Sequence, residues 1–157
     1  MFWIGFTQEP LFKVEPTEEG LVGRIVLGKH KETFVTHLLT WSEQHYVEHW
    51  KLALRRALNG MSAALITDMR TPVQSNHLVW WPIWKVHDDI VFHNQLLFFA
   101  AHKIQGPALD IESLYSFVGE RQSHDVDGTP ISEWTVPVSD VEIFLAGGPF
   151  VESTATH

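Results

Sequence analysis

Tyr46, Trp50, Leu54 and Leu58 recur every four residues, a spacing that only an α-helix turns into a single apolar stripe. Thr40 with Glu43 three residues on has the pattern of a capping box, and Asn59-Gly60 supplies a left-handed stop. One long helix is therefore predicted over about 41–59. The other apolar residues fall mostly into short runs rich in β-branched and aromatic side chains: Phe2 to Thr7, Leu21 to Leu27, Thr33 to Leu39, Ser62 to Met69, His77 to His87, Ile90 to Ala101 and Ile131 to Val136. Runs of this kind read as strands.

Turn chemistry orders them. The GKHKE stretch between Leu27 and Thr33 predicts a hairpin, and Val86-His87-Asp88-Asp89 predicts another inside a three-stranded meander. Pro10 and Pro16 mark a loop after the first strand. Pro82 lacks a backbone donor, so its part of the run is expected at an edge or a bulge. Pro107 to Phe117 reads as a short helix with Leu109, Leu114 and Phe117 on one side and Gly119 as its stop, and Ser139 is expected to cap a last helical turn through Phe144 before Gly147-Gly148. Six or seven strands with one long and one or two short helices give an antiparallel α+β fold, or a mostly β sandwich with a helix packed on it. No repeat or linker divides residues 1–151, which are expected to form one domain, with 152–157 (ESTATH) as a flexible tail.

Composition narrows the function. With 45% hydrophobic and 19% charged residues the chain is expected to fold without a partner. It has no cysteine, hence no disulfide, thiolate nucleophile or Cys-based zinc site, which fits a reducing cytosol. The opening MFWIGFTQEP lacks a basic region and a small-residue cleavage site, and no apolar run approaches the roughly 20 residues of a membrane-spanning helix. A cytoplasmic location is expected. Nineteen acidic against 11 basic residues leave a formal charge of −8, which repels nucleic acid and attracts a basic protein partner such as a nuclease.

Three clusters invite chemistry. His124, Asp125 and Asp127 are residue types that bind divalent ions and suggest a metal-dependent hydrolase. Asp127-Gly128 is equally turn chemistry, with Asp125 bonding back to the backbone. Trp80, Trp81 and Trp84 suggest a stacking platform for a small ligand or saccharide, yet in a strand Trp80 and Trp84 share a face and Trp81 takes the other, so at least one face belongs to the core. His45 and His49 sit one helical turn apart, as zinc ligands do, without an evident third ligand, and otherwise read as a polar helix face. There is no Gly-x-Ser-x-Gly elbow and no Gly-rich phosphate loop, and Arg55-Arg56 is too short for a nucleic-acid patch. No cofactor, metal or catalytic residue is expected.

The stretch GERQSHDVDGTPISEW, Gly119 to Trp134, contains Arg121, His124, Asp125, Asp127, Gly128, Ile131, Ser132, Glu133 and Trp134 in the pattern Arg-x-x-His-Asp-x-Asp-Gly-x-x-Ile-Ser-Glu-Trp. It resembles a segment of immunity proteins of bacterial contact-dependent growth inhibition, the CdiI family. The Trp-Ser-x-x-x-Tyr-x-x-x-Trp opening of the helix (Trp41 to Trp50), the strand Ser62 to Leu65 and the segment Ile90 to Asn94 are similar too, in the same order, so the likeness spans about residues 40–146. It implies an antiparallel sandwich related to the Whirly fold and a non-enzymatic inhibitor of a toxin C-terminal domain, the toxin being a ribosomal-RNA-cleaving nuclease in one relative. On this reading Glu120, Arg121, His124, Asp125 and Asp127 are candidates for the toxin-facing surface, with Asp88 and Asp89 as a second acidic pair. Gly128, Ser132, Glu133, Trp134 and Trp50 are read as structural.

Overall fold

The structure is a computed structural model that describes residues 1–7, 12–13 and 19–147. Phe2–Phe6 (β1), Phe12–Lys13 (β2), Glu19–Leu27 (β3) and His30–His37 (β4) form a four-stranded antiparallel sheet around β3. β4 follows one edge of β3, from Gly20 opposite His37 to Leu27 opposite His30, and β1 and then β2 line the other. The expected GKHKE turn is tighter than five residues: Gly28 and Lys29 alone make it, and pairing resumes at His30 rather than Thr33. Gly28 takes φ 67°, which a two-residue hairpin demands and glycine meets without a Cβ clash.

Ala63–Asp68 (β5), His77–Val86 (β6), Asp89–Phe92 (β7), Gln95–Phe98 (β8) and Trp134–Pro137 (β9) form a second, five-stranded antiparallel sheet. Here the expectation for Pro82 fails, because β6 is the central strand, with β5 on one side and β7 and β8 on the other. The long run expected over Ile90 to Ala101 splits instead. β7 pairs with Ile83–Val86 and β8 with His77–Trp80 in one continuous register, while His93 and Asn94, opposite Pro82 and Trp81, drop out of the ladder. His93 N–H still donates to the Pro82 carbonyl at 3.0 Å, but proline returns no hydrogen bond. The missing donor is absorbed by a gap in the neighbouring strand, and the central strand is kept.

The sheets face each other across an aromatic core. Phe2 of β1 stacks on Phe92 of β7 with ring centroids 5.4 Å apart, and the Thr36 hydroxyl at the end of β4 donates to the Thr67 carbonyl of β5. Glu43–Leu58 (α1) packs on β5 and β6. Tyr46, Trp50 and Leu54 of its stripe are fully buried and Leu58 packs at the margin. Trp50 joins the three layers: its ring lies 5.1 Å from Phe6 and 5.9 Å from Phe34 in the first sheet, and its Nε1 donates to the Ile66 carbonyl of the second at 2.7 Å.

The helix ends show what local pattern alone misses. Ser42 caps α1, accepting from the His45 N–H at 3.1 Å, whereas the Thr40 hydroxyl donates to Gln74 Oε1, 34 residues away. Asn59 and Gly60, at φ 77°, end the helix as expected. The second helix is shorter than Pro107 to Phe117, covering Ile111–Tyr115 (α2), and a 3-10 turn spans Ala100–His102. The last strand starts at Trp134, not Ile131, and Val138–Leu145 (α3) follows it directly with Pro137 at its N-cap and no side-chain cap from Ser139. The described residues hold nine strands in place of six or seven, within the α+β class expected. Pro10, Pro16, Gly148 and the 152–157 segment lie outside the described residues. Among those described, no helix is long and apolar enough to cross a membrane.

Candidate functional site

Between α2 and β9 the chain makes a loop whose residues 119–130 are all exposed. Asp125 shapes its tip. One carboxylate oxygen, Oδ1, accepts from the N–H of Asp127 at 2.9 Å and of Thr129 at 3.0 Å, and the Asp125 N–H donates to the Thr129 carbonyl at 2.9 Å. Gly128 supplies the positive φ of 81° the reversal needs, and His124 bridges to Pro130 across it. His124 Nδ1 lies 3.0 Å from Ser123 Oγ, and Ser132 is exposed on the return. Val126 and Asp127 are left at the turn, with Val126 wholly exposed.

The base of the loop is rigidly tied. Arg121 donates to both carboxylate oxygens of Glu133, Nε to Oε1 at 2.5 Å and Nη2 to Oε2 at 2.8 Å, the fork geometry that makes such pairs strong. Glu133 Oε1 also meets Nε2 of His93 at 2.9 Å, and since an ionised carboxylate only accepts, His93 donates there. His93 is 1% exposed and reaches Glu133 because it has left the β7–β8 ladder opposite Pro82. Trp84 packs edge-on against His93 at 4.6 Å and its Nε1 donates to the Gly119 carbonyl at 3.1 Å. Trp134 stacks on His30 at 4.5 Å and lies 5.5 Å from Trp81, and Asn94 donates to Glu32 of β4.

The Arg121 guanidinium, and after it His93, hold the Glu133 carboxyl down at about 2 against the opposing effect of partial burial. The folded value lies below the ordinary one, so the tie is complete above about pH 4.5 and is lost as pH falls toward 2. An NMR titration of the Glu133 carboxyl is expected to show this low midpoint, and Arg121→Gln to move it up by about a unit or more. An ordinary glutamate midpoint in the unmodified chain would dismiss the bridge.

Of the candidate residues, Glu120, Arg121, His124, Asp125 and Asp127 thus share one loop. Asp88 and Asp89 do not join them: they lie at the β6–β7 tip, four residues along β7 from His93, which is roughly 13 Å of strand. Asp88 is exposed and its carbonyl accepts from the Val138 N–H, while Asp89 is half-buried. Sequence reading missed His93, named Asn94 only as the end of a similar segment, and read Trp84 as part of a stacking platform rather than as a support of this loop. Its available signal was the polar pair His93-Asn94 interrupting an apolar run.

The bolder chemical readings lose ground. Among the described residues no three His, Asp or Glu side chains gather as a metal site, and Asp125 Oδ1 is engaged by the backbone. Trp80 and Trp81 are each 1% exposed, so both faces of β6 are core at that point. The His45 and His49 pair is not a polar face. His49 is buried, its Nε2 accepts from the Ile66 N–H at 3.0 Å, and burial with His45 nearby pushes its pKa down to about 3, which keeps it neutral. His45 stacks on Trp41 at 4.5 Å and, with Glu48, Leu52 and Arg56, flanks a groove between α1 and α2 of roughly 310 Å³.

Comparison with known proteins agrees with this architecture. The chain is similar in structure to a chain of the CdiA-CT/CdiI toxin and immunity complex from Enterobacter cloacae, with a TM-score of 0.80 at 25% identity, covering 94% of this chain and 97% of that one. In sequence it is 26% identical over 118 residues to the immunity protein CdiI of Enterobacter cloacae subsp. cloacae, covering 74% of this chain and 79% of that protein. The model of the CdiI N-terminal domain family matches residues 36–144, which take in α1, the whole second sheet and the loop tied by Arg121 and Glu133, and the chain belongs to that family.

Proposed function

We propose that this chain is an immunity protein that binds the C-terminal toxin domain of a contact-dependent growth inhibition system and masks its active site or substrate path. It acts in the cytoplasm, with residues 1–151 as one unit, and performs no chemistry of its own. The observation that carries this is the match over 94% of the chain to a member of a toxin and immunity complex. Charge supports it. Residues 110–133 hold six carboxylates against one arginine, a net of −5 within a chain of −8. Such a surface speeds encounter with a basic domain and places carboxylates where a nuclease receives phosphates, so the toxin is read as a nuclease. Glu120, His124, Asp125 and Asp127 face it, Arg121 acts mainly as the strut that holds the loop, and Asp88 and Asp89 form a separate acidic contact.

Co-expression with the toxin domain encoded immediately upstream tests the reading. Restored growth of the toxin-producing cells and a stable complex on size exclusion are the expected result. If both proteins fold, growth stays arrested and no complex forms, the shared fold serves some other purpose.

A further inference from the structure

The groove between α1 and α2 holds none of the acidic loop residues. Trp41, His49 and Tyr115 are its buried members, and Leu52, 61% exposed, and Ile111 add apolar wall. Its α1 residues, His45, Glu48, His49, Leu52 and Arg56, form a second helical stripe beside the core stripe. Core packing explains His49, but an exposed leucine beside a stacked Trp41-His45 pair describes a recess that the described residues leave open.

Its charges are unequal. Arg56 is already engaged: its guanidinium lies 4.7 Å from the centre of the Tyr115 ring, its Nε donates to the Ser62 carbonyl, and it pairs with Glu112 at 3.7 Å. Glu48 forms no ion pair among the described residues, and its carboxylate accepts from the Gln44 amide at 3.0 Å. The recess therefore offers aromatic rings, an aliphatic wall and a carboxylate outside any ion pair, which together suit a long basic side chain with an apolar stem. α2 leads straight into the acidic loop, and the four residues from Tyr115 to Gly119 span at most about 14 Å. The start of the loop therefore lies close enough to the groove for a partner of ordinary interface size, about 800 Å² per side, to reach both.

We propose that the α1–α2 groove is a docking pocket for a basic anchor side chain, arginine or lysine, of the toxin domain. The stem lies along Leu52 and Ile111 and the charged head meets Glu48 beside the Trp41 and His45 rings. This rests on the immunity reading and adds an anchor to the charge steering of the loop. A desolvated anchor slows dissociation, whereas loop charges at the rim act on association.

The test measures binding of the purified upstream-encoded toxin domain to four forms of the full chain: unmodified, Glu48→Lys, Leu52→Ala and Glu142→Lys. Glu48, Leu52 and Glu142 are exposed, so all three variants should fold, with circular dichroism as the check. Glu48→Lys should weaken binding about tenfold or more, chiefly by faster dissociation, and Leu52→Ala by about threefold or more. Glu142→Lys, the same charge change on α3, should stay within about threefold. Equal losses for the two lysine variants would show that only the overall field matters and overturn the pocket. So would unchanged toxin binding, including the case where Glu48→Lys instead abolishes self-association on sedimentation and makes a second copy the occupant. If the unmodified chain does not bind the toxin domain, the immunity reading itself falls and the pocket with it.

Discussion

Replacing Trp50 with alanine is expected to cost about 3–5 kcal/mol of stability and to lower the thermal midpoint by on the order of 10 °C. The ring lies at the junction of α1 with both sheets, against Phe6, Phe34 and Tyr46, with no exposed surface. Alanine leaves a cavity that three separate elements would have to move to fill. It also strands the Ile66 carbonyl, which accepts the Trp50 Nε1 hydrogen bond inside the core. Trp50→Phe keeps much of the packing and loses that hydrogen bond, so an intermediate loss is expected. Urea and thermal denaturation of the two variants check this, and a loss below about 1 kcal/mol for alanine would mean the core closes over the gap.

The second large effect concerns binding. Replacing Asp125 and Asp127 together with asparagine is expected to slow association with the toxin domain about tenfold at low ionic strength and to flatten its salt dependence, with little change in dissociation. Asparagine is the informative choice because its Oδ1 still accepts from the N–H groups of residues 127 and 129, so the turn survives and two charges go. Asp125→Ala removes turn and charge together and serves as the contrast. Stopped-flow association across a salt series provides the measurement. Rates matching the unmodified chain would place the interface away from this loop.

What the sequence revealed of this fold divides by distance along the chain. The α1 stripe and its Asn59-Gly60 stop are local, and they stand as expected. So do most strand runs, because β-branched and aromatic clusters carry their own signal. The errors arise where a partner arrives from far away. Thr40 has the right chemistry to cap α1 but is taken by Gln74, leaving the cap to Ser42. Pro82 looked like an edge residue because the rule is local, while the gap that accommodates it opens in another strand. His49 looked solvent-facing because Tyr115, 66 residues on, takes part in covering it. The candidate loop shows the same limit. Its turn chemistry at Asp125 and Gly128 was readable, but Glu133 reaches back 12 residues to Arg121 and 40 to His93, and no pattern within the segment announces either contact.

The gap opposite Pro82 also separates two kinds of mutational constraint. The strut of His93, Glu133 and Arg121 belongs to the frame, whereas most residues from 122 to 130 touch no core. Apart from Asp125 and Gly128, which set the turn, substitutions there should change folding free energy by no more than about 0.5 kcal/mol. On the proposed surface, recognition can drift while the scaffold stays fixed. A lineage carrying this frame is free to retune its tip to a changed toxin by single steps, none of which has to pass through an unstable intermediate.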